Sequence, residues 1–157
     1  MTNNLTPQDL TKIYNNSNEE GKKLLEEKFG KEAFNNSLST FEECCAFNGT
    51  KPEDVIPFRD PKNDDQRSVN AYAMLIEITR AHLRGKKKDW KNSSQRKYTN
   101  WYWMDKSSGS GLSLLAVDYG GSRAAVASRL HSLDEKTSKE IFEKFPQIVE
   151  DFMTEKD

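Results

Sequence analysis

Short apolar stripes separated by capping residues fill the first half of the chain and predict a series of short helices. A hydroxyl residue followed by acids or proline is typical of a helix start, and this signal occurs at Thr6, Ser17, Thr40 and Thr50. Gly30 follows the second segment at the position where a helix is expected to end. The N-terminal half is therefore predicted to be helical.

The longest helical pattern runs from about residue 64 to residue 84. Apolar residues and one threonine recur there at spacings of three or four, which is the signature of one helix face: Val69, Tyr72, Ile76, Thr79 and Leu83. Further apolar side chains fill the flanks of this stripe, and a helix that is apolar nearly all round is usually central. We expect this helix to form the spine of the core and to end at Gly85.

The pattern changes after Gly85 from a helical period to strand-like runs. Residues 98–104 are rich in aromatic side chains and residues 112–118 in aliphatic ones, and both predict strands. The glycine-rich residues 105–111 between them favour a hairpin. Residues 123–130 are ambiguous, because their alanines favour a helix while their position favours a third strand; we interpret them as a strand. The sequence thus predicts a small antiparallel sheet over about residues 98–130.

A final amphipathic helix is predicted after the capping signal at Ser132. Its apolar stripe favours core packing over a partner-binding helix. Pro146 lies inside the pattern and predicts a kink or break near Phe145. Together these elements predict one α+β domain over residues 1–157, with a helical N-terminal half, a long central helix, a small sheet and a C-terminal helix.

Composition narrows the class of protein. The chain has 157 residues, of which 34% are hydrophobic and 31% charged, and its net charge of −1 excludes globally basic nucleic-acid coat proteins. Its apolar runs are all shorter than the roughly 18 residues of a membrane span. The first residues lack the basic and apolar regions of a secretory signal. We therefore expect a cytoplasmic protein that does not act at a membrane.

Residues that could carry catalysis or hold a metal form no diagnostic pattern. Cys44 and Cys45 are adjacent, which is unsuited to an ordinary disulfide, and they are expected to pack in or beside the core. A redox or soft-metal pair is the alternative. His82 and His131 lie far apart in the sequence and are expected to be structural or solvent-facing. The expectation is a protein without catalytic residues, bound metal or cofactor.

One segment resembles a known group of proteins. Residues 89–101 read D-W-K-N-S-S-Q-R-K-Y-T-N-W and are similar to the D-W-x-N-x-x-Q-x-K-Y-x-x-W core of small uncharacterised proteins from Bacteroidetes phages, prophages and mobile elements. Residues 109–113 and 128–130 stand where that group has two further motifs, and the resemblance covers about residues 70–153. It implies a mobile-element setting and a strand-like segment 128–130. It brings no catalytic residue, because no activity is established for the group.

Uneven charge is the main indication of function. Residues 80–106 contain nine basic and two acidic residues, a net charge of +7, so the remainder carries −8. Basic side chains neutralise phosphates and flat aromatics stack on unpaired bases. The predicted single-strand-binding residues are Arg84, Lys86, Lys87, Lys88, Trp90, Lys91, Arg96, Lys97, Trp101 and Trp103.

The same segment is also compatible with roles that involve no nucleic acid. Lysine runs also form solvated loops, and aromatic strand residues also pack in cores. Tryptophan, tyrosine and arginine dominate protein interfaces as well. The expected function is that of a non-enzymatic accessory binding protein of phage or mobile-element origin. Its partner is expected to be single-stranded nucleic acid or, alternatively, a host or phage protein that it meets as a protein–protein interaction module.

Overall fold

Seven α-helices and a two-stranded sheet make up the described part of the chain, which in this computed structural model is residues 7–30, 34, 38–104, 112–122 and 128–155. This arrangement confirms the α+β class with a closing C-terminal helix. The elements are α1 Pro7–Asn16, α2 Glu19–Phe29, α3 Phe41–Asn48, α4 Pro52–Val55, α5 Asp64–His82, β1 Lys97–Trp103, β2 Ser113–Gly120, a 3-10 helix Ser128–Leu130, α6 Glu135–Lys144 and α7 Pro146–Met153.

The helix starts follow the capping chemistry, with a shift of one or two residues at two of them. Thr40 forms the predicted capping box with Glu43 at the start of α3. Asn18, rather than Ser17, accepts the capping hydrogen bond of α2. Asp134, rather than Ser132, caps α6. In each corrected case the side-chain oxygen of the acid or amide accepts from a free N–H group of the first turn.

The start of α4 is a third correction. Its N-cap is Lys51, which makes no side-chain cap, and Pro52 occupies the first turn. The Thr50 hydroxyl donates instead to Oε1 of Glu77 on α5, at 2.7 Å. Asn48 Nδ2 donates to the same oxygen at 2.9 Å, and Arg80 pairs with the other carboxylate oxygen at 2.5 Å. Glu77 is thus buried with its charge fully partnered, and it ties α3 to α5.

Helix α5 lies at the centre of the core, as its apolar pattern predicts, and contacts α3, α4, α6 and α7. The buried face includes Thr79 and Leu83 of the predicted stripe and extends to the flanking Ala71, Leu75 and Ile78, whereas Val69 is 47% exposed. A helix with apolar residues on several sides has no single stripe, so the neighbouring helices decide which face is covered. Arg84 and Gly85 then adopt left-handed backbone conformations and end the helical run.

In the described part of the chain the sheet contains two strands, and the third strand expected over residues 123–130 is wrong for its last three residues. Ser128–Leu130 form a 3-10 helix, which also corrects the strand implied by the resemblance, and residues 123–127 lie outside the described ranges. The Lys88 ammonium donates to the carbonyls of Ser128, Arg129 and His131 at 2.8–3.1 Å. This partner stabilises the turn by satisfying carbonyls that a strand would offer to its neighbour.

The C-terminal helix is broken where Pro146 predicts a break. Phe145 leaves the helical conformation, with φ −125° and ψ 44°, and α7 begins at Pro146. Phe145 and Val149 both enter the core, as do Cys44 and Cys45 of α3, which are free thiols with no exposed surface. Among the described residues, none of the helices is long and apolar enough to cross a membrane.

Candidate nucleic-acid interface

The two faces of the hairpin differ sharply in what they contact. Strand β1 pairs antiparallel with β2 from Lys97–Gly120 to Trp103–Ser113. On the inner face, Tyr102 packs on Phe142 of α6 with ring centroids 5.4 Å apart. Because side chains alternate along a strand, Trp101 and Trp103 lie on the outer face, and they are 51% and 58% exposed.

The loop before β1 is held against one end of that outer face. Lys97 is fully buried, and its ammonium donates to the Asn92 carbonyl at 2.8 Å and lies 5.5 Å from the Trp90 ring centroid. The same loop also contacts the residue that follows β2: a Cβ atom at Gly121 would lie only 2.3 Å from the Ser93 carbonyl oxygen. Lys97 and Trp90 therefore hold the loop in place: the Lys97 ammonium is buried and bonded, and it covers one face of the half-buried Trp90 ring.

Lys88 and Arg84 also serve the fold. Lys88 makes the three carbonyl bonds described above and is half-buried. Burial, with a smaller contribution from the nearby charge of Arg129, lowers the pKa of its ammonium to about 8. Burial likewise lowers the pKa of Arg84, whose guanidinium donates to the Phe34 carbonyl at 3.1 Å. Neither cation is freely available to a phosphate.

The remaining six predicted residues are accessible. Lys86, Lys87, Lys91 and Arg96 are exposed on the loop that is fastened to the outer face. We call the three exposed lysines, with the two exposed tryptophans of β1, the aromatic–basic surface: Lys86, Lys87, Lys91, Trp101 and Trp103. Since a strand rises about 3.3 Å per residue, Trp101 lies about 13 Å along β1 from the buried Lys97 that anchors this loop.

Tyr119 was missed by sequence reasoning, and it holds Arg96 on the opposite face of the hairpin from Trp101 and Trp103, because it pairs with Tyr98, which alternates with them. It is 52% exposed, and the Arg96 guanidinium lies 4.4 Å from its ring centroid. Because Tyr119 pairs with Tyr98, and Arg96 lies two residues before Tyr98, Arg96 and Tyr119 meet at the same end of the hairpin. A bulge leaves Leu115 unpaired between Ala116 and Leu114, so alternation counted along β2 does not give the correct register.

Both histidines are buried. His82 Nδ1 lies 3.0 Å from the Ile78 carbonyl oxygen, and the His131 ring packs edge-on against Trp90. Over the ranges that the structure describes, no group of three or more His, Cys, Asp or Glu side chains is arranged to hold a metal ion.

Comparison of the chain with protein-family models, with curated proteins and with solved structures finds no match. The site must therefore be interpreted from its own chemistry.

Proposed function

We propose that the protein is a non-enzymatic accessory protein that binds single-stranded nucleic acid through the aromatic–basic surface. The observation that carries this proposal is the exposure of Trp101 and Trp103 on one face of β1. Two residues along a strand are separated by about 7 Å, so the two rings offer platforms to separate bases. Stacking on an aromatic side chain stabilises a bound base by about 1–3 kcal/mol.

Charge supports the same ligand. Three exposed lysines lie on the loop that Lys97 fastens to the same face of the hairpin, where they would neutralise backbone phosphates. Asp118 opposes this attraction, because its pairing with Thr99 places it on the outer face, where it is exposed. The interface needs no duplex, since sheet aromatics bind splayed, unpaired bases.

The proposal also includes a biological setting, a phage or mobile element, and a location, the cytoplasm. The resemblance of residues 89–101 to phage and mobile-element proteins supports an accessory role in such an element. Both cysteines are free thiols, which suits the reducing cytoplasm, where we place the protein.

Fluorescence anisotropy with labelled oligo-dT, oligo-U and duplex DNA at two salt concentrations tests this function. Trp101→Ala with Trp103→Ala should weaken oligo-dT binding at least tenfold, whereas Leu24→Ala, which removes a side chain that is 66% exposed elsewhere, should leave it unchanged. Replacing Lys86, Lys87 and Lys91 by Ala should reduce the salt slope by about 2, at about 0.7 per phosphate contact on a single strand. The matched control replaces three exposed lysines that are not part of the aromatic–basic surface: Lys51, Lys136 and Lys139.

Asp118→Asn supplies a test of opposite sign, because removing this carboxylate should tighten binding. Absence of binding at low salt, equal loss in the test and control variants, or weaker binding by Asp118→Asn would each contradict the proposal.

A further inference from the structure

Among the described residues, the edge of β1 that faces away from β2 is unpaired beyond Tyr98. At its start, Tyr98 exchanges both backbone hydrogen bonds with Ser132, each 3.0 Å long. In an antiparallel ladder the backbone groups of alternate residues point to the same side, so the N–H and C=O of Asn100 and Tyr102 also point to this edge. Within the described residues, no backbone hydrogen bond joins either of them to a strand on that side.

An uncharged groove runs beside this edge. Its volume is about 330 Å³, and its apolar wall comes from the central and C-terminal helices and the 3-10 helix, through Leu75, Leu130, Ile141, Val149 and Phe152. None of the thirteen described residues that line it is charged, although charged residues make up 31% of the chain. The groove therefore favours neutral, apolar side chains.

Two of the features that protect edge strands, charged side chains and proline, are absent from this edge. Residues 98–104 contain no charged residue and no proline, and such an edge is a template for a further strand. In the described ranges the chain pairs with this edge only at Ser132. The residues before Ser132, which would continue the pairing toward Asn100 and Tyr102, form the 3-10 helix instead, and the groove lies in their place.

We propose that this edge binds an extended peptide of a partner protein by strand addition, with apolar side chains at every second position entering the groove. Backbone bonds to Asn100 and Tyr102 supply affinity, and the groove selects side chains, as in other strand-addition sites. The partner segment is uncharged at its inward positions and free of proline. The two proposals share Trp101, which also lines the groove, but strand addition uses the free edge of β1 and none of the exposed cations, so replacement of the lysines separates them.

Selection from a random heptapeptide library on the intact protein tests this proposal. Selected peptides should carry apolar residues with a period of two. Methylation of one peptide nitrogen that faces β1 should weaken binding about tenfold, because it removes a hydrogen bond and leaves its partner on β1 unsatisfied. Hydrogen exchange should show that the Asn100 and Tyr102 amides become protected on binding.

Asn100→Pro tests the proposal from the side of the protein. The backbone N–H that proline lacks is one that points to the free edge, so the pairing of β1 with β2 keeps its hydrogen bonds. Asn100→Ala is its matched control, since it removes the same side chain but keeps the N–H; only the proline variant should lose peptide affinity. Binding should also be insensitive to replacement of Lys86, Lys87 and Lys91. No enrichment of peptides, binding that tolerates N-methylation, or protection of these amides by self-association of the protein alone would each overturn the proposal.

Discussion

Glu77 shows how a single buried charge is accommodated. Its carboxylate is covered by α3 and accepts hydrogen bonds from Asn48, Thr50 and Arg80. Glu77→Ala should lower the free energy of unfolding by about 2–3 kcal/mol, because it leaves buried donors without an acceptor. Urea denaturation measures this loss, and Glu143→Ala, at an exposed position of α6, should change stability by less than about 0.5 kcal/mol. Equal effects of the two changes would contradict the role assigned to Glu77.

His82 should make stability depend on pH. Burial lowers the pKa of His82 from its ordinary value of 6.5, outweighing the bond to the Ile78 carbonyl, while Lys144 acts in the same direction as burial. Its Nε2 is buried and meets no donor or acceptor among the described side chains, so protonation would leave an unpaired N–H. The unfolded chain therefore takes up a proton at higher pH than the folded one, and stability falls as the pH drops through about 6.5.

His82→Gln removes this proton uptake. Urea denaturation at neutral pH and at pH 5 should show that the wild-type protein loses more stability on acidification than the variant. A variant that loses as much as the wild type would assign the acid sensitivity to other groups.

At the level of elements, the close contact between Gly121 and the loop before β1 predicts a local effect. Gly121→Ala would place a methyl group against the Ser93 carbonyl, so the backbone has to move, at a cost of about 1–3 kcal/mol. Thermal unfolding should show the loss, and amide chemical shifts should change around Ser93. Ser122→Ala, at the exposed neighbouring position, should leave both measurements unchanged.

Elements whose determinants are local were predictable from the sequence. The central helix and the break at Phe145 follow from nearby apolar spacing and from Pro146, because propensity and proline geometry act within a few residues. The 3-10 helix Ser128–Leu130 was not predictable, since the cation that satisfies its carbonyls is Lys88, distant in the sequence. Local pattern carries no information about that partner.

The same distinction applies to the candidate site. Alternation along β1 correctly separated Trp101 and Trp103 from Tyr102, because it depends only on the geometry of a strand. It gave no indication that Lys97 would be enclosed by Trp90 and the Asn92 carbonyl. Lysines are rarely buried, and a buried one is recognisable only when its acceptors are located.

For the molecule as a whole, the two buried thiols report on global unfolding. Burial raises the pKa of Cys44 to about 12 and raises that of Cys45 as well, and the thiolate is the reactive form. Both thiols should therefore react with a disulfide reagent only as fast as the native protein opens, with one shared rate. Labelling in urea should be immediate and serves as the control. Rapid reaction of either thiol in the native state would show that α3 opens separately.

Lys88 has a consequence for the order of folding. Its ammonium meets carbonyls 40 to 43 residues further along the chain, and both strands of the hairpin lie within that interval. Closing so long a loop carries an entropic cost that local structure does not. We therefore expect the hairpin to form first and the Lys88 contact to form late, as a latch. When the protein opens, this latch should be among the first contacts to break, releasing Ser128–Leu130 while the helical core persists.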